Sequence, residues 1–118
     1  MTPTLVFDKG EPFLAIGSPG GSRIITAVLQ IILNIVDFEQ SLEEATESKR
    51  IHHQWYPDDI DIEENYNQLN QLIDLGYKVD LIDTATCTQS IMMDNGEFIG
   101  VSDLRRPDSL ALGVKNDW

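Results

Sequence analysis

The sequence predicts an α+β fold, and three observations carry that expectation. Apolar runs come in pairs around glycine-containing reversals, stretches with helical periodicity lie between those pairs, and no repeated strand-helix-strand rhythm marks a doubly wound sheet.

Thr4 to Asp8 and Phe13 to Gly17 flank the reversal Asp8-Lys9-Gly10-Glu11 and read as a first hairpin. Arg23 to Asp37 follows the segment Gly17-Ser18-Pro19-Gly20-Gly21-Ser22 and contains no helix breaker, so a helix is expected to start near Ser22. Its polar residues Arg23, Thr26, Gln30, Asn34 and Asp37 fall three or four apart in one narrow stripe, which predicts a central helix buried on most sides. Ser41 followed by Glu44 fits a capping box and opens a short helix to about Lys49. Asp58 to Glu64 alternates acidic residues with Ile60 and Ile62, the period of a strand whose carboxylates meet water on one face. Tyr66, Leu69, Leu72 and Ile73 recur at helical spacing, and Gly76 stands where a left-handed cap ends such a helix. Lys78 to Ile82 reads as a strand. Gln89 to Met93 and Phe98 to Ser102 form a second hairpin around Asn95-Gly96, the pair that best tolerates the positive φ angles of a tight turn. Ala111 to Val114 is expected to be the last strand, and no internal repeat, linker or low-complexity segment divides the chain.

A chain of 118 residues, 42% of them hydrophobic, has room for one domain with a modest core and not for two. No apolar run reaches the roughly 18 to 20 residues of a membrane span, and the N-terminus lacks the basic flank and apolar run of a signal segment, which predicts a soluble chain without a membrane partner. Twenty acidic residues against eight basic ones give a formal charge of -12, a field that repels phosphate backbones and argues against nucleic acid as a partner. The acidic residues are spread along the chain and mark no interaction tail. Cys87 is the single cysteine, so no intrachain disulfide or CxxC site exists; core packing accounts for it better than catalysis does.

Three segments offer chemistry. At Gly17-Ser18-Pro19-Gly20-Gly21-Ser22 two residues without side chains leave the main chain accessible, just where the first free amides of a helix point outward with the positive end of its dipole. Such a junction can hold an anion or a developing oxyanion, although a tight turn is the commoner use of a glycine pair, and the lysine of a nucleotide P-loop is absent. His52-His53, with Asp58 and Asp59 near them, invites a metal or acid/base role. Consecutive residues of an extended chain point to opposite faces, which favours hydrogen-bonded imidazoles locking a buried corner beside Trp55. In Ser102-Asp103-Leu104-Arg105-Arg106-Pro107-Asp108 the two arginines either clamp carboxylates within the fold, the commoner case, or bind a substrate carboxylate.

Taken together, these segments resemble one family. Gly17-Ser18-Pro19-Gly20-Gly21-Ser22-Arg23-Ile24, Arg50-Ile51-His52-His53-Gln54-Trp55 with Pro57, Gln89-Ser90-Ile91-Met92, and Ser102-Asp103 with Arg105-Arg106-Pro107-Asp108 occur in the order seen in γ-glutamyltranspeptidases, over essentially the whole chain. The resemblance implies that residues 1–118 are a single partial domain, the C-terminal part of that enzyme's small subunit. It further implies part of an N-terminal-nucleophile hydrolase αββα sandwich, in which a precursor cleaves itself into a large and a small subunit. The new terminal threonine takes the γ-glutamyl group from glutathione or a related amide, and the acyl-enzyme passes it to water or to an amino acid or peptide. Gly20 and Gly21 match the glycine pair that lies at the γ-glutamyl pocket and lends backbone N-H to the oxyanion. No cofactor or metal is implied.

The family's threonine, its substrate-gripping residues and a serine pair correspond to sequence upstream of Met1, and Thr2, Thr4 and Thr26 do not take their place. The expectation is therefore a fragment inactive alone, with the large subunit and the rest of the small subunit as partners; the alternative is a non-catalytic binding or assembly module on the same scaffold. Exposed strand edges and apolar faces predict a homodimer or larger assembly of the isolated chain. A periplasmic or extracellular location is implied by the resemblance alone. Leu104, where relatives commonly carry proline, and Ser109-Leu110 depart from the pattern at the C-terminal turn.

Overall fold

The computed structural model describes residues 3–114, along which the elements run β1 (Thr4–Asp8), β2 (Glu11–Gly17), α1 (Arg23–Val36), α2 (Leu42–Glu47), β3 (Ile51–His52), β4 (Ile60–Glu63), α3 (Leu69–Asp74), β5 (Val79–Ile82), β6 (Gln89–Asp94) and β7 (Glu97–Ser102). Both hairpins form. Lys9 and Gly10 turn the first at φ 49° and 88°, Asn95 and Gly96 the second at 49° and 83°, the paired positive angles that match the twist of the flanking strands.

The hairpins join side by side through β2 and β6 into a four-stranded antiparallel sheet of order β1-β2-β6-β7. Because side chains alternate along a strand, the register Val6↔Leu14↔Met92 lies on one face and Leu5↔Ala15↔Ile91 on the other. The first face carries the core: Leu14 and Ile16 pack against Val28, Ile31 and Ile35 of α1 and Leu42 and Ala45 of α2. Each of these Leu, Ile and Val side chains withdrawn from water contributes about 1.5–3 kcal/mol, which is what holds α1 to the sheet. The Ser41 capping box starts α2 as expected, Glu44 N-H donating to Ser41 Oγ at 3.1 Å and Ser41 N-H to Glu44 Oε2 at 2.9 Å.

α1 is buried along one side only. Ile25, Leu29, Leu33 and Val36 repeat at helical spacing on the outer side and are exposed, because the described residues supply a layer for one face of the helix and none for the other.

β3, β4 and β5 form a second sheet of three strands, in which β4 pairs antiparallel with β3 and parallel with β5. The parallel pair and α3 make one strand-helix-strand unit; it stands alone among the described residues and does not make the repeated rhythm of a doubly wound sheet. The crossover is possible because α3 ends at Gly76, φ 90°, and the chain returns to run alongside β4. The free edge of β3 is closed by a side chain: Gln30 Nε2 donates to Ile51 O at 2.8 Å while Ile51 N-H donates to Gln30 Oε1 at 3.0 Å.

Two further expectations are corrected. The carboxylates of the acidic strand do not simply meet water, since Glu63 is fully buried and Asp61 pairs with Arg23 at 2.5 Å. Ala111 to Val114 forms no strand; the segment lies over the sheet's outer face, where a Cβ built on Gly100 would sit 3.3 Å from Ala111 Cβ. A segment laid on a face instead of an edge finds no ladder to join. Among the described residues no helix is long and apolar enough to cross a membrane.

Candidate active site

The junction between β2 and α1 has a buried side and an open side. Ser18 is fully buried, and its Oγ lies 2.8 Å from Cys87 O, 2.7 Å from Pro19 O and 2.9 Å from Thr86 Oγ1. The Thr86 hydroxyl donates to Pro19 O. On the open side Gly20 and Gly21 are exposed at φ 124° and 59°, and their carbonyls accept from Arg23 N-H at 3.2 Å and Ile24 N-H at 3.3 Å. Their own N-H groups find no acceptor among the described residues. Only glycine adopts the first of these angles without strain, and a Cβ at Gly20 would stand 2.6 Å from Thr86 Oγ1. The junction therefore presents free backbone donors beside the positive end of α1, the geometry that stabilises a negative oxygen.

Ser22, at the N-cap position of α1, makes no cap bond and instead donates to Gln54 Oε1 at 2.8 Å. The same oxygen lies 3.1 Å from His52 Nε2, while Gln54 Nε2 donates to Tyr56 O. His52 Nε2 faces Gln54 Oε1, and its Nδ1 lies 2.8 Å from Thr26 Oγ1, whose hydroxyl donates to Arg23 O at 3.2 Å. His52 is thus buried and hydrogen-bonded on both nitrogens, and it braces the start of α1. His53 is exposed and lies 3.2 Å from Asp58, and no group of three potential metal ligands occurs among the described residues. Trp55 is 83% exposed, so of the expected buried corner only His52 is buried; His53 and Trp55 are exposed, and Gln54 reaches His52 from the exposed side. Cys87 is half-buried and serves the junction through its carbonyl.

Behind the junction lies a closed ionic cluster. Arg50 donates to Asp103 Oδ2 at 2.9 Å, Thr46 O at 2.8 Å and Thr86 O at 2.7 Å. Arg105 grips both oxygens of Glu63, at 2.7 and 2.5 Å, and donates to Asp103 Oδ1 and to the carbonyls of Thr46 and Ser48. Glu63 also accepts from Ala85 N-H and Arg50 N-H, and Asp103 from Thr88 N-H and Arg105 N-H. Burial alone pushes both carboxyls up, but the hydrogen bonds and charges of the arginines, with those backbone donors, hold each below its ordinary value. Burial and then the neighbouring Arg105 charge push Arg50 down, against the pull of Asp103; burial also lowers Arg105, but Glu63 and then Asp103 carry it above its ordinary value.

Two positive and two negative groups neutralise one another, and Arg105 has its donors turned inward. The arginine segment is therefore an internal clamp and not a substrate-carboxylate site. Its partner arginine is Arg50, however, and Arg106 stays exposed outside the cluster. Sequence reasoning missed Arg50 and Glu63 as members. Glu63 carried no signal, since in a period-two strand it falls on the face opposite Ile60 and Ile62. A broad groove lined by Gln30, Asn34, Glu44, Lys49 and Tyr66 lies toward the far end of α1 and meets the ionic cluster only at Ser48, whose carbonyl accepts from Arg105.

The sequence model of the family described as Gamma-glutamyltranspeptidase matches residues 1–113. The glutathione hydrolase proenzyme of Escherichia coli (strain K12) is 45% identical over 116 residues, 96% of this chain and 20% of that protein. A highly active mutant of Gamma-glutamyltranspeptidase from Pseudomonas nitroreducens superposes with a TM-score of 0.88 at 31% identity, over 98% of this chain and 62% of that one. A mutant of the Helicobacter pylori Gamma-Glutamyltranspeptidase does so with a TM-score of 0.82 at 36% identity, over 90% of this chain and 61% of that one. The hairpin sheets and helices are those of an N-terminal-nucleophile hydrolase, of which the chain spans a part. Since the match runs from the first hairpin through the glycine junction to the segment beyond Asp103, the chain belongs to the gamma-glutamyltranspeptidase family.

Proposed function

We propose that this chain contributes the oxyanion half of a γ-glutamyl transfer site, with Gly20 and Gly21 as backbone donors and a terminal threonine supplied from outside these 118 residues. The observation that carries the reading is the pair of N-H groups of the exposed Gly20 and Gly21, without acceptors among the described residues, at the start of α1 in a chain of this family. A threonine hydroxyl, activated by its own terminal amine, attacks the γ-carbonyl of glutathione or a related amide. Negative charge then develops on the carbonyl oxygen, which accepts from the Gly20 and Gly21 N-H groups at about 2.7–3.1 Å. The amine leaves, and water or an amino acceptor releases the γ-glutamyl group from the acyl-enzyme. This chemistry calls for no cofactor. The large subunit and the remainder of the small subunit are the proposed partners, and a periplasmic or extracellular setting follows from the family alone.

A second reading, a binding or assembly module without catalysis, is favoured by the apolar side chains left exposed on α1 and on the outer sheet face, Leu5 and Ile91 among them. Pull-down of the chain from its native lysate, with γ-glutamyl-p-nitroanilide turnover of the eluate, separates the two. A large-subunit partner with turnover supports the enzyme; the chain recovered alone and inactive supports the module. Nitroaniline released by the pure chain by itself contradicts the need for an outside threonine.

A further inference from the structure

We propose that Thr86 is a positioning residue that sets the direction of the Gly20 N-H; the inference rests on the oxyanion reading and extends it. Pro19 C=O and Gly20 N-H belong to one rigid trans peptide plane and point in opposite directions. Whatever fixes the carbonyl fixes the donor. The Thr86 hydroxyl donates to Pro19 O, and Ser18 Oγ lies 2.7 Å from the same oxygen, so the carbonyl is drawn into the buried side and the N-H is left facing the open side.

The plane needs such a latch because glycine at 20, on the φ axis about which the plane turns, removes the steric barrier that ordinarily resists rotation of a peptide in a turn. A flipped plane would turn the Gly20 N-H toward the two hydroxyls and aim a carbonyl oxygen at the site, where it repels a developing oxyanion. Thr86 is itself held firmly: it is buried, and its carbonyl accepts from Arg50 Nη1 at 2.7 Å. It also touches the residue it controls, since the space of a Gly20 Cβ is taken by Thr86 Oγ1 at 2.6 Å and Thr86 Cβ at 3.0 Å. The ionic cluster thereby reaches the open side of the junction through one threonine.

The test is the N-H residual dipolar coupling of Gly20 in the ¹⁵N-labelled 118-residue chain, compared between the parent, Thr86→Val and Thr86→Ser. Thr86→Val is expected to change or average the Gly20 coupling while the couplings of α1 stay as they are, and Thr86→Ser to restore the parent value. An unchanged Gly20 coupling in Thr86→Val overturns the proposal. If Thr86→Val also loses the α1 couplings, Thr86→Ala, which removes the hydroxyl without adding a methyl, decides by the same criterion. In the enzyme assembled with its companion segments, Thr86→Val is expected to lower kcat up to about 100-fold at unchanged KM, the loss of one oxyanion donor. Reorientation of Gly20 without loss of kcat overturns the oxyanion reading and the catalytic role with it.

Discussion

The Arg50 guanidinium meets the Asp103 carboxylate at 2.9 Å with both side chains almost wholly withdrawn from water. Arg50 stands just before β3 and Asp103 just after β7, so the pair ties the end of one sheet to the start of the other. Arg105 and Glu63 complete the cluster and balance its charge.

Removing one member of that cluster leaves a buried charge without its partner. Asp103→Asn is expected to lower stability by about 3–5 kcal/mol, seen as a fall in the urea midpoint at neutral pH. Asp61→Asn breaks the ion pair with Arg23, which is partly exposed and screened, and should cost no more than about 1 kcal/mol. Equal losses for the two variants would show that burial does not set the difference.

Acid should unfold the chain through the same two carboxyls. Folding lowers the pKa of Glu63 and of Asp103, so in the acid range the unfolded chain binds more protons than the native one. Their stabilisation is complete above the ordinary carboxylate range, about pH 5, and is lost as pH falls through the depressed folded values. A stability profile between pH 3 and 7 should decline toward acid, and Glu63→Gln should flatten it. A profile level down to pH 3 in the parent chain contradicts the lowered values.

The two glycines of the junction should respond differently to a methyl group. Gly21→Ala adopts an angle that other residues reach with modest strain and meets nothing within 4 Å, at a cost of about 1–2 kcal/mol. Gly20→Ala combines a glycine-only angle with a collision against Thr86 and should cost roughly 2–5 kcal/mol. Thermal melts of the single variants and of Gly20→Ala with Thr86→Ala check this, the double change recovering the part due to the collision.

Exposed apolar side chains on the outer side of α1 should drive the isolated chain together. Sedimentation velocity is expected to show a dimer or larger species, and Leu29→Glu, which puts a charge in the middle of that stripe, should return a monomer with an unchanged far-UV spectrum. A parent chain that stays monomeric at high concentration removes self-association as the cover for this face.

The sequence by itself determined what neighbouring residues settle among themselves. The glycines of Asn95-Gly96 and Lys9-Gly10 admit the positive turn angles locally, Ser41 and Glu44 cap α2 through contacts three residues apart, and Gly76 ends α3 because a left-handed angle is needed there. The Gly20-Gly21 junction was legible for the same reason, since free amides follow from a helix start preceded by glycines. Tertiary structure alone decided which groups meet across the fold. Arg50 finds Asp103, Glu63 loses its water to Arg105, β5 runs parallel to β4, Ala111 lies on a face without joining an edge, and Thr86 comes to rest against Gly20. A residue pattern states which side chains share a face but not what covers that face. The free energy of a buried charge or a packed glycine depends on that cover, and packing brings it from dozens of residues away.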